Sequence, residues 1–187
     1  MVETTTSGDT VVAERPRLSS RDPGMAAWRT FLTAHALLWR HLDEDLRVEA
    51  GISLAEYSAL LQLAEAPGRR LRMKHLAVGV FLSRSGVTRL IDRLVANGFV
   101  ARSQCSSDGR GAEAVLTDDG LDRLRAASPI HLRGIETYFL SRIPPDELAV
   151  VHSTLGAVAE GIRGDGQPLD ADCDATTDAG SVARDPA

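Results

Sequence analysis

The chain has 187 residues, 43% of them hydrophobic and 25% charged, with a net charge of −5. That length suits one domain, or one domain with tails, and with aromatic residues at only 4% the core must come from Leu, Val, Ile and Ala, which favours helices. Two distant cysteines, Cys105 and Cys173, without ligand spacing exclude a disulfide framework and a structural zinc site, and no metal or cofactor is expected. The absence of a long apolar run and of a secretory signal makes a cytoplasmic protein without membrane association the expectation.

Residues 1–22 are rich in Thr, Ser, Gly and mixed charge and read as a disordered arm. From Met25 the pattern changes. Trp28, Phe31, Leu32, His35, Leu38, Trp39, Leu42 and Leu46 fall on one face of a long first helix ending near Gly51. His35 on that face is read as a buried histidine bonded to a neighbouring carbonyl, the alternative being a polar group in a ligand pocket.

Ser53 with Glu56 three residues on forms a capping box. The helix it opens carries Tyr57, Leu60, Leu61 and Leu63, and ends at Ala66-Pro67-Gly68. Arg69 to Arg72 is a short extended link. Residues 73–80 form another helix, with Met73, Leu76, Ala77 and Val80 apolar, and only Phe81 and Leu82 separate it from the next.

That next helix is the centre of the chain. Val87, Leu90, Ile91, Leu94 and Val95 recur at i, i+3, i+4, i+7 and i+8, so one face must be buried. Ser85, Thr88, Arg89, Asp92 and Arg93 occupy the other face. Ser83 or Ser85 can cap the start, and Asn97-Gly98 marks the stop. Two helices joined by a tight turn make a helix-turn-helix, whose second helix is built to enter a major groove. Strands over 99–104 and 113–116 flank the polar turn from Ser106 to Gly111, giving a β-hairpin or wing.

Thr117 can cap a long helix containing Leu121, Leu124, Ile130, Ile135, Phe139 and Leu140. Pro129 removes a backbone donor and predicts a bend or break near Ser128. A last helix opens at Pro144-Pro145-Asp146-Glu147, with Leu148, Val151, Leu155, Val158 and Ile162 as its apolar stripe. The tail over 163–187, with six aspartates and two arginines, is expected to be disordered and acidic. Charge is therefore segregated. Residues 67–111 hold nine cations against two anions, a net of +7 that the acidic total conceals and that suits a duplex-binding element.

Several stretches in order carry a resemblance: Leu82-Ser83-Arg84-Ser85-Gly86-Val87-Thr88-Arg89-Leu90-Ile91-Asp92-Arg93-Leu94, then Gly98-Phe99-Val100, then Asp108-Gly109-Arg110-Gly111, then Leu116-Thr117-Asp118-Asp119-Gly120. The region resembles the winged helix-turn-helix of the MarR family of bacterial transcriptional regulators, and more loosely the likeness runs over 25–162. It implies a mainly α fold with a small β wing, in which a winged helix-turn-helix (about 53–120, within a domain of 23–162) is flanked by dimerisation helices (about 25–50 and 121–162). The link at residues 69–72 is, in such proteins, often a small strand joining the wing's sheet.

The function implied is sequence-specific DNA binding by a homodimer on a pseudo-palindromic operator. Most often such a regulator is a repressor, relieved by a small lipophilic or phenolic effector. By helical position, Thr88 and Arg89 are expected on base edges, with Arg93 also facing outward, and Ser83, Arg84 and Ser85 on phosphates. Lys74 reaches backbone phosphate from the preceding helix, Arg102 belongs to the same surface, and Arg110 reaches the minor groove from the wing tip with Asp108 holding it. Trp28, Phe31, His35 and Tyr57 are the candidate lining of an effector pocket, with ordinary aromatic core as the other reading. A wing that docks a protein is the rival from another class. A thiol-based redox regulator acting through Cys105 is a further alternative, although cysteine sensors in the family place the thiol in the first-helix region, where this chain has none. Catalytic motifs are absent and the five histidines are scattered, so no enzymatic activity is expected.

Overall fold

A computed structural model describes residue 19 and residues 22–80, 82–104 and 112–163. The expectations for the N-terminal arm up to residue 18, the wing tip at 105–111 and the tail from 164 lie outside the described residues. Helix α1 (Pro23–Ala50) is followed by α2 (Leu54–Glu65), a single 3-10 turn (Pro67–Arg69), β1 (Arg70–Arg72), α3 (Met73–Gly79) and α4 (Arg84–Ala96). The hairpin β2 (Val100–Gln104) and β3 (Ala112–Leu116) leads into α5 (Asp118–Tyr138), a 3-10 turn and α6 (Leu148–Arg163). The result is mainly helical with a small antiparallel sheet ordered β1-β3-β2. The link at residues 70–72 does join the wing: Leu71 pairs with Ala114, and Val100 with Leu116 across the hairpin.

Local chemistry sets the element boundaries. Asp22 caps α1 through its carboxylate. At α2 the capping box is complete, since the Glu56 N–H donates to Ser53 Oγ while Glu56 Oε2 accepts from Ser53 N. Of the two serines offered for α4, Ser83 is the cap, accepting from Gly86 N at 3.2 Å, and Ser85 Oγ lies 3.2 Å from it. Thr117 caps α5 by accepting from Gly120 N, and its own hydroxyl donates to the Gly98 carbonyl at 2.7 Å. Gly98, at φ 77°, makes the left-handed turn between α4 and β2 that a side chain would strain. Gly120 permits a close approach, because a Cβ there would sit 2.1 Å from the Phe99 carbonyl oxygen. The Leu-Thr-x-x-Gly stretch is thus a clasp between the start of α5 and the turn into the wing.

The core lies among α2, α3, α4 and the sheet. Leu60, Leu63, Leu76, Val87, Leu90, Ile91 and Leu94 are buried with Val100, Ala114 and Leu116, and Leu46, Leu124 and Ala127 close it from α1 and α5. Val95, expected on the buried face of α4, is exposed instead, and Leu94 is the last buried residue of the helix.

Three further expectations are corrected. Pro129 does not break α5, which runs continuously from Asp118 to Tyr138. Contacts with α1 hold the helix on both sides of the proline: Arg123 donates to the Ala50 carbonyl at 2.9 Å, and Arg133 pairs with Glu49. The last helix begins at Leu148, beyond Asp146 and Glu147. His35 is not buried within the chain. It stands in an exposed ladder along α1, with ring centroids 6.0 Å apart for Trp28 and Phe31, 6.2 Å for Phe31 and His35, and 6.1 Å for His35 and Trp39.

Candidate nucleic-acid interface

Helix α4 presents its reading face because its other face is committed to the core. The apolar stripe of Val87, Leu90, Ile91 and Leu94 fixes the roll of the helix, and Ser85, Thr88, Arg89, Asp92 and Arg93 emerge exposed. Ser83 is exposed at the cap. The backbone N–H groups of a helix's first turn point out of its start with a partial positive charge, which favours an approaching phosphate. Arg84 occupies the first position of α4. Lys74 is exposed in the first turn of α3.

The arginines of this surface differ in what holds them. Arg93 Nε donates to Glu56 Oε1 of α2 at 3.1 Å, and its Nη1 to the Arg89 carbonyl at 3.5 Å. Arg102 on β2 donates to Asp92 of α4 at 2.6 Å, tying the hairpin to the reading helix. Both partners of that second pair are about half exposed, so it contributes at most about 1 kcal/mol. Arg69 pairs with Asp118 at 3.0 Å. Arg89 enters no ion pair among the described residues and projects from the middle of the helix. Arg110 and Asp108, with Cys105, lie outside the described residues.

Glu56 is the buried member of this set, 8% exposed. Burial alone would push its carboxyl up. Hydrogen bonds from Ser53 N and Oγ and from Arg93 outweigh that penalty and hold the carboxyl below its usual range. The capping pattern made Glu56 visible in the sequence, but its bond to Arg93, 37 residues away, had no sequence signal.

The residues proposed for an effector pocket are not enclosed together. Tyr57 is buried at the α2–α5 junction, its ring 4.4 Å from that of His131 and its hydroxyl donating to Ser128 Oγ at 3.4 Å. Trp28 and Phe31, 51% and 45% exposed, belong to the α1 ladder with His35. His131 has a buried Nδ1 without a hydrogen-bond partner among the described residues, and burial pushes its pKa down. In the sequence His131 is only one of five scattered histidines. Its spacing from Ala127 and Gly134, both buried on α5, was the signal that it faces inward. Among the described residues there is no cluster able to hold a metal ion and no helix long and apolar enough to cross a membrane.

A capped reading helix behind a short helix and turn, with a three-stranded wing beside it, defines a winged helix-turn-helix. Comparison with known proteins agrees. The MarR family model matches residues 50–111. The uncharacterized HTH-type transcriptional regulator YkoM of Bacillus subtilis (strain 168) is 33% identical over 123 residues, covering 66% of this chain and 77% of that protein. Among solved structures, Sco3205 of Streptomyces coelicolor, a MarR family regulator determined in complex with DNA, is 38% identical. It aligns over 77% of this chain and 91% of its own with a TM-score of 0.69. AbsC from the same organism is 34% identical, over 80% of this chain and 99% of its own, with a TM-score of 0.70. The chain belongs to the MarR family and is a DNA-binding transcriptional regulator.

Proposed function

We propose that the regulator works as a homodimer in which two copies of α4 enter successive major grooves of a pseudo-palindromic operator, and that its usual effect is repression. One observation carries the reading: Arg89, exposed on the outer face of α4, enters no ion pair among the described residues, while Arg93 and Arg102 are tied to Glu56 and Asp92. A free guanidinium in mid-helix can make the bidentate contact that guanine offers in the major groove, with Thr88 beside it on base edges. Ser83, Arg84, Ser85 and Lys74 hold the phosphates at the helix start, and Arg110, on the sequence of the wing, reaches the neighbouring minor groove.

Exposed apolar surface supports a second copy. Trp28, Phe31, Leu32 and Leu37 on α1, Leu132 on α5, and Val150, Leu155, Val158 and Ile162 on α6 are exposed in the single chain. Helices from both ends of the sequence would bury one another across a two-fold axis, which also matches the symmetry of a palindrome. The α1 ladder then belongs to the dimer face rather than to a pocket. A lipophilic or phenolic effector would act at the junction of α2 and α5 beside Tyr57, where dimerisation helices meet the winged domain.

The test is a footprint on a duplex recovered by the protein from a randomised library. Two protected half-sites centred about one helical turn, roughly 34–36 Å, or a multiple of it apart are expected. One asymmetric protected patch contradicts the two-fold arrangement.

A further inference from the structure

Asp92 and Arg93 are consecutive on α4 and therefore about 100° apart around its axis. They are held by different neighbours, Asp92 by Arg102 of the hairpin and Arg93 by Glu56 of α2. The two anchors are unequal. Asp92 and Arg102 are both about half exposed, whereas the Glu56 carboxylate is nearly buried and fully engaged, its Oε2 accepting from Ser53 N at 2.8 Å and Ser53 Oγ at 2.9 Å while Oε1 takes Arg93. Arg93 is itself 56% exposed, so the pair is half-buried, and it is screened less than the Asp92–Arg102 pair, in which solvent reaches both charges.

Glu56 also stands beside Tyr57, whose ring packs on His131 of α5. The Leu54 N–H at the start of the same turn donates to Asp43 of α1 at 2.8 Å. The first turn of α2 is thus gripped by α1 and α5 on one side and grips the reading helix on the other. From this we infer that Glu56 is a positioning residue for DNA reading. Within the roll that the buried stripe of α4 imposes, the Glu56–Arg93 bond steadies the outer face of the helix and so the aim of Arg89, and Arg93 serves as the arm of that clamp instead of a base reader. The inference rests on α4 being the reading helix. It assigns specificity to a residue with no contact to DNA.

The substitution Glu56→Gln isolates the clamp from the cap. A glutamine amide oxygen can still accept from Ser53, while its NH2 group would face the Arg93 guanidinium and cannot accept from it. Full-length wild type, Glu56→Gln, Arg93→Gln and the double variant are titrated against a duplex selected by the wild type and against a scrambled duplex, at two salt concentrations. Each single variant is expected to lose roughly tenfold on the selected duplex, with little change on the scrambled one and no change in salt slope. The double variant should lose no more than either single, because contacting partners are not additive. Thermal unfolding of the free proteins is followed alongside, and Ser53→Ala, which weakens the cap while leaving the Arg93 bond, should change stability without changing the preference between duplexes.

Additive losses in the cycle, a wild-type preference in Glu56→Gln, or a salt slope reduced by about 1 in Arg93→Gln, which would make Arg93 a phosphate contact, overturns the clamp alone. A wild-type chain that selects no duplex overturns the DNA-reading function and the inference with it.

Discussion

At the scale of single residues, the surface separates side chains that build from side chains free to read. Arg89, which enters no ion pair among the described residues, is the proposed reader. Arg89→Ala is expected to cost about 1–3 kcal/mol on the selected duplex and much less on a scrambled one, lowering the specificity ratio. Equal losses on both duplexes would pass the reading role to Thr88. His131 tests the interior. Its folded-state pKa is pushed down by burial, so the unfolded chain takes up the proton first as pH falls. The stability this group contributes is complete above its unfolded pKa of about 6.5 and is lost as pH falls through the lower folded value. Urea unfolding at neutral and mildly acidic pH should show a stability decline below about pH 6.5 that becomes shallower in His131→Leu. An unchanged decline would mean that other groups carry it.

At the scale of elements, the boundaries were the part most open to sequence reasoning. Capping is chemistry between neighbours: Ser53 with Glu56, Ser83 with Gly86 and Thr117 with Gly120 each act within three residues. The same locality explains the break predicted at Pro129, which α5 does not show. Proline removes a donor wherever it sits, but the continuity of α5 through Pro129 depends on contacts with α1, including the Arg133–Glu49 pair across 84 residues of sequence, and no local rule contains them. His35 was misplaced for a related reason. Helical periodicity shows that α1 has an apolar face, not which molecule covers it. The Glu56–Arg93 bond was hidden because spacing within one helix says nothing about which neighbouring helix meets it. Gly120 gives the element-scale test. A methyl group there would collide with the Phe99 carbonyl oxygen and Leu116, both within the clasp between α5 and the wing. Gly120→Ala should therefore destabilise the fold by about 1–3 kcal/mol or more, read as a lowered urea midpoint. A neutral outcome would show that the clasp yields at little cost.

At the scale of the whole molecule, the acidic total of −5 hides a segment of +7 that carries the reading helix and its wing. The exposed apolar faces of α1 and α6 lie at the two ends of the sequence, flanking that segment. Pairing two copies through those faces doubles the basic surface, and removing α6 by truncation after Ile143 is expected to leave a monomer or an aggregate by light scattering. A full-length chain already monomeric at micromolar concentration would remove the two-fold geometry. An electrostatic, two-copy grip on duplex DNA is measured directly by the salt dependence of binding. With even about 6 phosphates neutralised per dimer, affinity for the selected duplex should fall on the order of a thousandfold between roughly 50 and 200 mM salt. An affinity that stays flat across that range contradicts it.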